Sequence, residues 1–98
     1  SVLNTAEDSV RRGEARAVMT TLYEKMSGEP FERLAGVLEL AGEWTRAAGA
    51  ADQNEAWAEA WSALEALRSE AEGLDMDPRH ALARAVALVE RAAGAARR

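Results

Sequence analysis

The chain has no cysteine, which excludes disulfides, thiolate metal ligands and cysteine nucleophiles together. No apolar run approaches the roughly 20 residues that cross a bilayer. The opening Ser1-Val2-Leu3-Asn4 lacks a basic stretch followed by an apolar one, so no leader is expected either. Lysine is nearly missing: Lys25 stands beside 11 arginines, a bias in keeping with a GC-rich bacterial genome. Surplus positive charge is also missing. A net charge of −5 opposes nonspecific phosphate binding, which disfavours nucleic acid as a partner. No glycine-rich phosphate loop, Glu-x-x-His pairing or internal repeat is present, and the tetratricopeptide pattern is not matched. These absences lead us to expect a cytoplasmic protein without a cofactor.

Alanine supplies 23 of the 98 residues and dominates the hydrophobic 48%. It is the best helix former yet buries little surface, so such helices must pack closely to gain stability. A length of 98 residues suits one domain with a thin margin of stability, which keeps self-association in view.

Turn and cap residues divide the chain. Asn4 with Glu7, or Thr5 with Asp8, reads as an N-cap; Gly28 and Pro30 separate two helices; Gly49 closes the second. Asp52 with Glu55 opens the third, Gly73 ends it, and Asp77 followed by Pro78 starts the fourth. The spacing predicts helices over 5–26, 30–48, 53–72 and 78–96, joined by short connections. An all-α, antiparallel, up-down four-helix bundle is the expected architecture.

Three of these segments carry one apolar stripe each: Phe31, Leu34, Val37, Leu38, Ala41, Trp44 and Ala48; then Trp57, Ala60, Trp61, Leu64, Leu67 and Ala71; then Leu82, Ala85, Val86, Val89, Ala92, Ala93 and Ala96. The first segment does not. Leu3, Ala6 and Val10 point about a third of a turn away from Ala15, Val18, Met19, Leu22 and Met26. The jump falls at Gly13, which predicts a kink or break there and makes residues 1–12 a candidate N-terminal arm.

Charge is segregated. Between Asp52 and Glu72 six acids oppose Arg68; between Arg79 and Arg98 five arginines oppose Glu90. Pairing of the two helices explains this simply, with little energy at stake. A sharper reading notes that His80, Arg84, Arg91 and Arg98 share a line opposite the apolar seam, where cations would meet an acidic protein.

Three tryptophans sit at the flanks of their stripes. One reading has each ring covering a thin core with its N–H near water. The other makes Trp57, Trp61 and Arg68 an exposed patch of the kind enriched at interfaces. Together with Trp44, Arg84 and Arg91 these are the candidate partner-binding residues. No inward face carries a carboxylate pair or a histidine, so catalysis is not expected. Asp75, Asp77 and His80 read as a helix cap rather than a metal site. The expected function is a noncatalytic protein-interaction module, binding another protein or itself. The alternative is a bundle holding a small apolar ligand between tryptophan-bearing helices.

Overall fold

The computed structural model describes residues 2–97, and the side chains of residues 5–97. The side chains of Leu3 and Asn4, and Arg98, each used in the sequence reading, lie outside the described set. The described chain is all-helical. It holds five helices, not four: α1 (Val2–Arg11), α2 (Ala15–Lys25), α3 (Pro30–Asp52), α4 (Glu55–Gly73) and α5 (Pro78–Ala96).

The fifth helix arises because the first predicted segment breaks where its stripe jumps. The Gly13 N–H donates to the Val10 carbonyl at 3.0 Å and the Glu14 N–H to the Ser9 carbonyl at 2.9 Å. This pair of bonds defines a Schellman ending, which needs a left-handed residue at the glycine position; Gly13 has φ +92°. A fresh helix then starts at Ala15, and its apolar face is free to turn toward a different neighbour. Val10 from α1 and Ala15 and Met19 from α2 all reach full burial.

The other boundaries follow the expected signals in part. Asp77 caps α5 by accepting the Arg79 N–H at 3.0 Å, with Pro78 in the first turn. Gly49 does not close α3, which runs on to Asp52 and ends at Gln53 in the left-handed conformation. Asp52 is therefore not the cap of α4. Asn54 takes that role, its side-chain oxygen accepting the Ala56 N–H at 2.8 Å. Gly73 is the last residue of α4, so that helix ends where expected; the left-handed residue beyond it is Asp75, and the Met76 N–H returns to the Ala71 carbonyl. The helix α1 is already running at Val2, upstream of the Asn4 and Thr5 cap signals.

The long helices α3, α4 and α5 pack against one another, and α2 lies across α3 and α5. The arm α1 does not stand apart: it rests on α2, α3 and α5 of its own chain. All three expected stripes face inward, with Leu34, Val37, Leu64, Leu67, Val86 and Val89 at their centres. Alanines fill the spaces between them, as at Ala41, Ala48, Ala71, Ala85 and Ala93. Since α4 packs only on α3 and α5 among the described residues, both of its flanks reach solvent.

A Cβ at position 13 would sit 2.8 Å from Arg97 Nη1, on a backbone that L side chains rarely adopt. Gly13→Ala is expected to cost about 1–2 kcal/mol, chiefly through the left-handed backbone. Urea denaturation followed by circular dichroism measures it.

Candidate functional site

The tight connection at Gln53 and Asn54 sets which residues of α3 and α4 face each other. Arg46 lies seven residues before Gln53 and Trp61 seven after Asn54, so an antiparallel hairpin brings them level. The Arg46 guanidinium carbon stands 5.4 Å from the centre of the Trp61 ring, within cation–π range. Trp61 is half-buried, and its ring edge also lies on the bare backbone of Gly42. Arg46 is exposed and has no carboxylate partner among the described residues. Alongside this pair runs an open groove of about 380 Å³, lined by Arg46, Gly49, Ala50, Glu55, Ala58 and Trp61. Its walls are low because three of these residues are alanine or glycine.

The other tryptophans are placed differently from the expected surface patch. Trp44 is 3% exposed and Trp57 is 1% exposed, so both belong to the core and neither ring is open to a partner. The reason is packing: helices filled with alanine leave room at their centres that only large side chains can occupy. Trp57 takes its place against Gly49. Its indole N–H donates to Asp52 Oδ2 at 3.0 Å, while Oδ1 of the same carboxylate receives Arg11. Trp44 Nε1 is buried without an acceptor among the described residues.

The candidate arginines also separate. Arg68 pairs with Glu72 along α4 at 3.9 Å, and the Trp61 ring is met by Arg46 instead. Arg84 is closed onto Glu70 of α4 at 3.1 Å, as the simple account of the segregated charge requires, and so is not free for a partner. Arg91 and His80 are exposed on α5 without ion pairs among the described residues, and Arg91 lines a groove. Asp75, Asp77 and His80 do not gather: among the described residues no three histidines or acids come together as metal ligands. No buried side chain in the described set is charged, and the buried Thr45 hydroxyl is spent on the Ala41 and Gly42 carbonyls at 3.0 Å. No helix is long and apolar enough to cross a membrane.

Several polar contacts were not anticipated from sequence. Asp52, Arg46 and the pair of arginines on Tyr23 are the principal ones; Arg33 lies 4.8 Å and Arg79 5.6 Å from the centre of that buried ring. Each depends on register between helices. The signal for Arg46 was the spacing from the Gln53–Asn54 turn, which is usable only once α3 is extended past Gly49.

No family model matches the chain, and no curated protein or solved structure is found to be similar to it. The site is therefore judged on its geometry.

Removing the Asp52 carboxylate leaves the buried Trp57 N–H without its acceptor and releases Arg11. Asp52→Ala is expected to destabilise the chain by about 1–3 kcal/mol. Hydrogen exchange should show the loss of protection concentrated in α1, ahead of α5.

Proposed function

We propose that this chain is a noncatalytic, cytoplasmic interaction module that takes a protein partner in the α3–α4 groove. The observation that carries the reading is Trp61 half-open beneath an Arg46 that forms no hydrogen bond or ion pair among the described residues. Tryptophan and arginine are the residue types most enriched at interface hot spots. A stacked pair beside a shallow, alanine-floored groove supplies an apolar anchor and a directional donor together. The uncharged interior supports the noncatalytic part, since burial is what tunes acids and bases for proton transfer.

A photo-crosslinking residue at Ala58, on the groove floor, is expected to trap a discrete partner in the source cell. The same residue at Ser69, on the outer face of α4, is expected not to. Equal yields at the two positions, or no adduct at Ala58, argue against the reading.

A second reading, a small apolar ligand, has one observation in its favour: the groove volume of about 380 Å³ is within the range of small-molecule sites. It lies beside Trp61, not between Trp44 and Trp57. A flat apolar ligand seated there should quench the Trp61 fluorescence, lost in Trp61→Phe, and raise the melting temperature. No response across a panel of such ligands weighs against it.

A further inference from the structure

The other flank of α4 has a different character. Glu59, Ala60 and Ala63 of α4 and Leu88, Arg91 and Ala92 of α5 line a groove of about 290 Å³. Farther along the same seam the ion pair Arg84–Glu70 bridges the two helices. Glu59 and Arg91 are not bridged: both are exposed, and neither has a hydrogen bond or ion pair among the described residues. One shallow surface thus presents an open acid and an open base across an apolar centre, where Leu88 is half-buried.

We propose that the α4–α5 groove is a self-association surface, in which two copies meet about a two-fold axis and Glu59 of each copy pairs with Arg91 of the other. An isologous interface must be self-complementary, and a patch carrying one charge of each sign meets that condition by rotation alone. An axis parallel to the two helices sets α4 of one copy over α5 of its neighbour and forms two equivalent ion pairs. An acidic partner would gain from Arg91 but be repelled by Glu59, and a basic partner the reverse. Only a partner with the same alternation satisfies both, and a second copy has it by identity. The alanine walls let the helices approach closely, and Leu88 supplies apolar surface near the middle. The net charge of −5 does not forbid the pairing, because at physiological salt repulsion between distant charges is screened beyond about 8 Å. This surface is separate from the Trp61 groove, and the proposal does not rest on that site.

Sedimentation equilibrium in physiological salt tests it. The average mass is expected to rise from that of the 10.6 kDa chain toward twice that value between about 1 μM and about 500 μM. Glu59→Arg and Arg91→Glu, each creating like-charge contacts, should weaken association about tenfold or more, and the double exchange should restore it. Circular dichroism checks that the fold is kept. Should a reversal lower the melting temperature, Glu59→Gln and Arg91→Gln replace it and are expected to weaken association too. Ala58→Arg, in the Trp61 groove, should leave the mass curve unchanged, so failure of one surface is distinguishable from failure of the other. A monomer throughout, single exchanges that associate like the parent, or a double exchange no better than the singles overturns the proposal.

Discussion

Asp52 is the last residue of α3, and its carboxylate joins three helices at one point. One oxygen holds the Trp57 indole of α4 and the other holds Arg11 of α1. Arg97 at the end of α5 donates to the Arg11 carbonyl at 3.2 Å, which brings a fourth helix to the same end of the bundle. The ion pair alone would be worth little, being partly exposed. Its weight comes from Trp57, whose buried N–H is costly to leave unpaired and whose Cβ lies close against Gly49. With Trp57 seated, the register of α3 against α4 is fixed, and Arg46 and Trp61 are brought level at the hairpin's open side. The candidate groove is a consequence of that register.

A core made largely of alanine imposes a second constraint. Each alanine contributes little transfer free energy, so close helix approach and a few large side chains must supply the rest. Trp57, Tyr23, Met19 and Trp44 fill that need from four positions along the bundle. Three of these are aromatic rings with a polar tip, and the chain handles them unequally. Trp57 finds Asp52, whereas the Trp44 N–H has no acceptor among the described residues. Tyr23 has the guanidinium groups of Arg33 and Arg79 over its ring. A thin core of this kind consumes most of the aromatic content, which leaves only Phe31 and Trp61 half-buried among the described aromatic residues.

The parts of this arrangement that were legible in the sequence are those decided within one helix. The stripes through Leu34, Leu64 and Val86, the break at Gly13 and the Asp77-Pro78 cap all follow from local periodicity and backbone preference. Gly49 misled because glycine inside a helix and glycine ending one look alike without tertiary context, whereas α4 does end at Gly73. Here α4 lies against the bare backbone at Gly49, and the left-handed turns fall to Gln53 and Asp75 instead. Asp52 was misplaced for the same reason: four residues of extra helix turned a presumed cap into a link between helices. Trp44 and Trp57 sat at the flank of an ideal wheel, but a flank facing a neighbouring helix is interior. Only the pairing of helices tells the two flanks apart.

That distinction also governs the charged residues. The opposite charges of α4 and α5 suggested a ladder of ion pairs along the hairpin, yet across this seam only Glu70 and Arg84 pair among the described residues. The remainder divide by position. Glu72 folds back to Arg68 on its own helix, Glu90 turns to Arg16 of α2, and Glu59 and Arg91 stay open on either side of the same groove. Charge segregation is therefore more than the hairpin uses, and the surplus lies on the surface that α4 and α5 present together. Since α4 is covered only by α3 and α5 among the described residues, it carries one groove on each flank: an arginine over an aromatic ring on the α3 side, and an acid facing a base on the α5 side. The first is the surface proposed for a protein partner, and the second the surface proposed for a second copy. The two surfaces ask for different chemistry and occupy different faces, so one helix can serve both without competition.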